Sequence, residues 1–137
     1  MTSPKLKLTF LGSGSAFTIG EGNYHSNVLL EDIASGQTLL IDCGSDVRFS
    51  LFELGMGVKN IDSVYISHIH ADHTGGLEWL GFSRYFGPFE LSKLYLHERI
   101  VVPLWETLRA GMATLDDQPS TLATFFDVHP IGDKGHF

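Results

Sequence analysis

One short stretch of the chain, residues 67–77, carries the side chains best suited to chemistry, because three histidines and an aspartate fall close together at His68, His70, Asp72 and His73. Neutral imidazole is the commonest protein ligand for zinc, and carboxylates bind it too. In an extended segment residues i and i+2 point the same way, so His68 and His70 are placed to bind one metal ion. A turn after His70 would direct Asp72 and His73 to a second ion. Two ions about 3.5–4 Å apart activate a bridging water for attack on a phosphoryl or acyl group.

Each candidate residue also has an alternative interpretation in which its side chain takes no part in catalysis or binding. The histidine stretch itself has a solvated surface loop as its alternative, although the spacing favours a metal site. His25 either approaches this site or lies on a surface loop, which is favoured. His129 and His136 are the downstream candidates for a further ligand, with an ordinary loop histidine as the favoured interpretation of His129. Arg84 either binds phosphate or is solvated. Cys43 is expected to be a small buried side chain, since no basic partner that would activate it is evident.

Composition excludes several classes of protein. The chain has 137 residues, 9 Lys+Arg against 16 Asp+Glu, a formal net charge of −7 and one cysteine. The acidic balance makes nucleic acid an unlikely partner but permits a small nucleotide substrate held by a metal. The lone cysteine excludes an intrachain disulfide and a cysteine-rich zinc site. No signal peptide or membrane-spanning stretch is predicted, so we expect a cytoplasmic protein. The length predicts a single domain over residues 1–137.

The hydrophobic pattern predicts an α/β fold in which helices alternate with strands. The apolar run Leu39–Ile41 predicts a strand covered on both faces. Gly55 is a suitable terminator for the first helix, and Pro103 suits the first turn of a later one. The predicted strands are residues 5–11, 26–31, 38–42, 63–67, 91–96 and 123–128, and the predicted helices are residues 47–54, 77–80 and 103–110.

The motifs resemble a known superfamily. The string from His68 to His73 is similar to the His-x-His-x-Asp-His metal motif of metallo-β-lactamase-fold hydrolases. Residues 8–14 resemble the opening strand and glycine turn of that fold, residues 40–44 its acidic strand end, and residues 73–77 the start of its next helix. The branch most resembled is that of the ribonuclease Z-like phosphodiesterases. Within it, residues 76–86 resemble the anti-Pycsar phage and bacterial enzymes that hydrolyse cyclic nucleotides.

The resemblance implies roles for particular residues. His68 and His70 would be ligands of a first metal, and Asp72 and His73 ligands of a second. Asp72 would also act catalytically by orienting the attacking hydroxide, and Asp42 would hydrogen-bond the metal loop and fix it. The implied cofactors are two zinc ions, with manganese or iron as alternatives. No residue is assigned to substrate binding.

The resemblance also implies that this chain supplies roughly the N-terminal αβ half of an αββα sandwich. Four ligands leave about two for each metal, fewer than the three or four of ordinary zinc sites. We therefore expect a single domain that is incomplete at its C-terminus, binds metal weakly alone, and forms a homodimer or associates with a complementary C-terminal half. The leading function is a dinuclear-zinc phosphodiesterase acting on cyclic nucleotides. The alternatives are a tRNA 3′-processing endonuclease, a thioesterase on the same metal platform, and an inactive fragment or binding module.

Overall fold

The computed structural model describes residues 5–134, which form one layer of helices on a mixed sheet. Six strands lie in the order β1-β2-β3-β4-β5-β8. The first three strands are antiparallel neighbours, and β3, β4, β5 and β8 run parallel. Their bounds are β1 Leu6–Phe10, β2 Val28–Asp32, β3 Thr38–Ile41, β4 Ser63–Ile66, β5 Lys93–His97 and β8 Asp127–Ile131. This confirms the predicted α/β class.

The helices connect the parallel strands, as right-handed crossover units of parallel sheets require. They are α1 Val47–Glu53, the short α2 Ala71–Thr74, α3 Leu77–Phe86, α4 Val101–Met112 and α5 Leu122–Phe125. Single 3₁₀ turns occupy Val58–Asn60 and Glu98–Ile100, and Thr114–Leu115 pairs with Gln118–Pro119 as a small hairpin, β6–β7. Gly55 has a φ of 68° just after α1, which confirms it as the terminator.

The core lies between the helices and one face of the sheet. Alternate strand residues on that face, such as Leu40, Val64 and Leu94, have no exposed surface and pack with Leu51 of α1 and Leu104 of α4. Alternation along a strand sends its other residues to the opposite face, which no helix covers among the residues described. The protein is therefore a two-layer αβ unit.

The opposite face is apolar and open. Leu6, Leu8 and Phe10 of β1 are 57%, 57% and 71% exposed, and Leu39 and Ile41 of β3, two strands away, are only half-buried. The expectation that β3 is covered on both faces is thus wrong for this chain, because the continuous apolar run of β3 meets helices only through Leu40.

Two other predictions need correction. The last strand was expected at residues 123–128, but residues 122–125 form α5 and the strand begins at Asp127. The turn expected after His70 is the single-turn helix α2. The strand was expected because Phe125 and Phe126 are residues of a type that favours strands. In the structure both side chains are fully buried, and the short helix packs them against α3. Across residues 5–134, no helix has the length and apolar character needed to cross a membrane.

Candidate metal centre

The candidate residues meet where two parallel strands end side by side. Asp42 directly follows β3, and Ser67 and the histidines directly follow β4, its parallel neighbour. The backbone N–H of Asp42 donates to the carbonyl of Tyr65 at 2.8 Å, which continues the pairing past the last strand residue. The carboxyl ends of parallel strands are the usual location of sites in α/β sheets. The fold therefore brings residues 25 or more positions apart to one edge.

The carboxylate of Asp42 connects several parts of the site. Asp42 is 6% exposed and has a φ of 62°, a left-handed conformation that aspartate tolerates better than most residues. One of its carboxylate oxygens accepts hydrogen bonds from the backbone N–H and the hydroxyl of Ser67 at 2.8 and 2.9 Å. The other lies 2.8 Å from Nδ1 of His73. The Asp42 side chain thus fixes both the start of the histidine loop and the ring of its last histidine.

The pairing with Asp42 determines which nitrogen of His73 faces the site. A carboxylate can only accept, so Nδ1 carries the proton and Nε2 holds the free lone pair in the neutral ring. That Nε2 lies 3.2 Å from Oδ2 of Asp72. Two electron-rich atoms at this distance repel unless a proton or a cation lies between them. The arrangement fits a metal ion held by His73 and Asp72, with Asp42 behind the imidazole as metal sites commonly have.

His68 and His70 form a second pair of donors. Nε2 of His68 and Nδ1 of His70 are 3.1 Å apart, and the ring centroids are separated by 4.7 Å. Two nitrogens bound to one tetrahedral zinc at about 2.05 Å are about 3.3 Å apart, which is close to this separation. The ring of His68 also lies 4.0 Å from that of His73, so the two pairs adjoin.

The four side chains have donor atoms that suit a divalent metal, but they are too few to complete the coordination of an ion. Imidazole nitrogen and carboxylate oxygen suit zinc, manganese and iron. Within residues 5–134, however, no group of three or more His, Cys, Asp or Glu side chains is arranged to hold one ion. The described part of the chain thus offers two adjacent pairs of donors rather than one complete set of ligands.

Tight backbone contacts hold the two loops together. The N–H of Cys43 donates to the carbonyl of His73 at 2.7 Å, and the N–H of Gly76 donates to the carbonyl of Cys43 at 2.8 Å. A Cβ on Gly44 would lie 2.3 Å from the carbonyl oxygen of Asp72, so only glycine allows this approach. The site geometry therefore depends on the backbone as well as on the ligand residues.

Asn27 is a contributor that the sequence interpretation missed. It has no exposed surface, its side-chain oxygen accepts from the N–H of Gly44 at 2.8 Å, and its amide donates to the carbonyl of His25 at 3.0 Å. A lone asparagine at the start of a strand gives no signal in one sequence. Only the tertiary contact with Gly44 reveals its role.

Of the remaining candidates, His25 does not lie on an open surface loop, because its side chain is only 13% exposed and lines a cavity with His70 and Asp72. His136 lies outside the described residues, and His129 and Arg84 lie away from the motif. His129 pairs with Asp127 at 2.8 Å and stacks on Tyr95. The expectation for Arg84 is wrong on both alternatives, because it is 6% exposed and its guanidinium donates to the carbonyls of Ile61 and Glu90. Burial lowers the pKa of the Arg84 guanidinium, and nearby Asp62 and Glu90 oppose the shift.

Cys43 is buried beside Asp42, as expected. Its side chain has no exposed surface. Burial raises the pKa of the Cys43 thiol well above its ordinary value, and the Asp42 carboxylate adds to the shift. The thiol is therefore protonated and unreactive at neutral pH.

Comparison with solved structures defines the class of fold. The metallo-β-lactamase fold protein YhfI from Bacillus subtilis has a TM-score of 0.65 and 24% identity, and the match covers 94% of this chain and 46% of that one. The short form of human tRNase Z gives a TM-score of 0.65 and 24% identity over 93% of this chain and 46% of that one. The protein has the metallo-β-lactamase fold, of which this chain supplies about half.

Sequence comparison defines the family. The profile of the family described as anti-Pycsar protein Apyc1 matches residues 6–137, and the chain belongs to that family. The anti-Pycsar protein of Paenibacillus sp. strain J14 is 43% identical over 129 residues, which are 94% of this chain and 51% of that relative. That of Bacillus phage vB_BsuM-Goe3 is 35% identical over 127 residues, 91% of this chain and 48% of the relative. The chain thus spans about half the length of the curated relatives it matches.

Proposed function

We propose that this chain carries the metal-binding half of a phosphodiesterase that hydrolyses cyclic nucleotides. The observation that carries the proposal is the pair of adjacent donor sets, His68 with His70 and Asp72 with His73, at the carboxyl edge of β4. Membership of the anti-Pycsar family supports a nucleotide substrate. Two zinc ions are the proposed cofactors, and manganese or iron are chemically acceptable in their place.

The position of each residue determines its proposed role. His68 and His70 would hold one ion, and Asp72 and His73 the other. When bound, such ions would lower the pKa of water and neutralise the negative charge that develops on the oxygens around phosphorus. Asp42 keeps the proton of His73 on Nδ1, so Nε2 presents its lone pair to the site. Asp72 accepts a hydrogen bond from the attacking water and orients it. Water adds to phosphorus, the ester oxygen leaves with a proton, and a nucleoside monophosphate results.

We also propose that the missing ligands come from a partner on the open face of the sheet. Two donors for each ion are fewer than the three protein ligands that catalytic zinc sites usually have. The uncovered apolar strip of β1, with Leu8 at its centre, supports an association that buries this face. The partner is a complementary C-terminal half or a second copy of the chain.

The decisive experiment measures hydrolysis of 3′,5′-cyclic nucleotides and of bis(p-nitrophenyl) phosphate with added zinc or manganese. We expect turnover by the protein and a loss of at least about 100-fold in His70→Ala, because a donor to the metal is removed. His97→Ala is the matched control, since His97 pairs with Asp133 outside the site, and it should keep full activity.

Other outcomes select the other candidates. Nucleotide binding without turnover would favour a binding module, which the lack of a three-ligand group among the described residues also favours. Cleavage of tRNA precursors in preference to cyclic nucleotides would favour the endonuclease, although the net charge of −7 disfavours a long RNA. Activity confined to thioesters would favour the thioesterase.

A further inference from the structure

A cavity adjoins the histidine motif on the side of the loop that follows β1. Its volume is about 440 Å³, and its lining includes Phe17, His25 and Ser45 together with His70 and Asp72 of the motif. Ligand cavities for small molecules typically have volumes of about 300–1,000 Å³. One side of this cavity is thus formed by proposed metal donors and another by an aromatic side chain.

Backbone contacts join the two ends of the loop between β1 and β2 to each other. The N–H of Gly14 donates to the carbonyl of Tyr24 at 2.8 Å, and the N–H of Ser26 donates to the carbonyl of Gly14 at 3.0 Å. A Cβ on Gly12 would lie 2.3 Å from the carbonyl oxygens of Tyr24 and His25, so glycine is needed for this close approach. The glycine cluster after β1 therefore holds the loop closely against residues 24–26, and the loop lines the cavity that His70 and Asp72 also line.

His25 gives the cavity an ordered wall. Its backbone N–H donates to one oxygen of Asp46 at 2.9 Å, and its Nδ1 lies 3.2 Å from the other. The His25 side chain is only 13% exposed. Asp46 thus anchors the backbone of His25 and lies beside its imidazole, so this part of the cavity is formed without a ligand.

Phe17 forms the exposed part of the same cavity. The Phe17 side chain is 91% exposed, although it lies in the cavity lining with His70 and Asp72. Single exposed apolar residues are common, so exposure alone says little. Its place beside the proposed phosphodiester site gives it a specific use, because an exposed aromatic ring is the standard surface on which nucleobases stack.

We propose that this cavity binds the nucleotide substrate, with the phosphodiester at His70 and Asp72 and the nucleobase stacked on Phe17. The inference rests on the proposed function, since it assumes a nucleotide at the motif. Every base has an aromatic face, so stacking on Phe17 gives affinity with little discrimination between pyrimidine and purine. Phe17 is thus a positioning residue for the base rather than a participant in hydrolysis.

A binding experiment tests this without requiring turnover. In Phe17→Trp, titration with cyclic CMP or with CMP in the presence of zinc should quench the fluorescence of the new tryptophan. Phe52→Trp is the matched control, because Phe52 is 79% exposed on α1 and does not line the cavity, so its fluorescence should not change. Trp79 and Trp105 contribute the same background to both variants. Equal responses of the two variants would overturn the inference.

Kinetics separate this inference from the proposed function. Phe17→Ala should raise KM for cyclic nucleotides about 10-fold with a much smaller effect on kcat, and Phe17→Tyr should recover much of the lost affinity because it keeps an aromatic face. Ile19→Ala is the control, since Ile19 does not line the cavity, and it should behave as wild type. Hydrolysis without selective quenching or a KM effect would refute the role of Phe17 and leave the phosphodiesterase. Selective quenching without hydrolysis would refute the enzyme and leave the binding site. Absence of both would refute both.

Discussion

Asp42 illustrates how one side chain sets the chemistry of its neighbours. Its left-handed backbone has a conformational cost of about 1–2 kcal/mol for an ordinary residue, which is smaller for aspartate. Its hydrogen bonds to Ser67 and His73 are charge-assisted and offset that cost. The conformation is maintained because it is the one that lets the carboxylate reach both partners.

We expect Asp42→Asn to lower metal affinity about 10- to 100-fold. Asparagine fits the positive φ, but its NH₂ group would face either the N–H of Ser67 or the Nδ1–H of His73, so one of the two hydrogen bonds is lost. Zinc titration by calorimetry measures the effect. Asp116→Asn is the matched control, because Asp116 is exposed in the β6–β7 turn and also has a positive φ, 48°. Equal affinities of Asp42→Asn and wild type would contradict the role of Asp42.

At the scale of elements, the site is a junction between the end of β3 and the segment from β4 to α3. Backbone bonds join Cys43 to His73 and to Gly76, so the two segments form one unit. The ligand side chains therefore depend on how closely these backbones approach. Gly44 and Gly76 are the residues that allow this approach, each with a backbone oxygen where a Cβ would lie.

Gly44→Ala should reduce the free energy of unfolding by about 2 kcal/mol or more, because the added Cβ overlaps the carbonyl of Asp72 and the backbones must separate. Urea denaturation measures this change. Gly57→Ala serves as the control, since no atom lies within 4 Å of the added Cβ and Gly57 is extended, with a φ of −165°. A similar stability for both variants would show that the junction tolerates separation.

At the scale of the whole molecule, the two faces of the sheet differ sharply. One face forms the core with the helices, and the other exposes Leu6, Leu8 and Phe10. An apolar sheet face of this kind favours association, because burying it removes hydrocarbon from water. The chain spans about half the length of its relatives, and we propose that a second αβ layer covers this face.

We expect the chain by itself to self-associate with increasing concentration, and Leu8→Asp to shift it towards monomer, because a charge at the centre of β1 opposes burial. Sedimentation equilibrium measures the change. Phe52→Asp is the control on the helical side and should leave association unchanged. A wild-type chain that stays monomeric at high concentration would contradict the expectation.

Local sequence was sufficient to predict the strands around the motif, the end of α1 at Gly55 and the donor types of the site. Those features follow from hydrophobic alternation, backbone preferences and side-chain chemistry, which are properties of short segments. Local sequence was insufficient to predict the helix at residues 122–125, because burial of Phe125 under α3 outweighs the β preference of the aromatic residues.

The sequence by itself determined that His68, His70, Asp72 and His73 have side chains suited to binding a metal, because all four lie within six consecutive residues. The resemblance implied that Asp42 fixes the motif segment, but only the tertiary structure decided that it does so through Ser67 and His73. Only the tertiary structure, too, decided that Asn27 supports Gly44 and that Phe17 lines a cavity with the motif. It also decided that Arg84 is structural and that one sheet face is open. These contacts join residues distant in sequence, and the packing of separate elements, rather than any local preference, creates them.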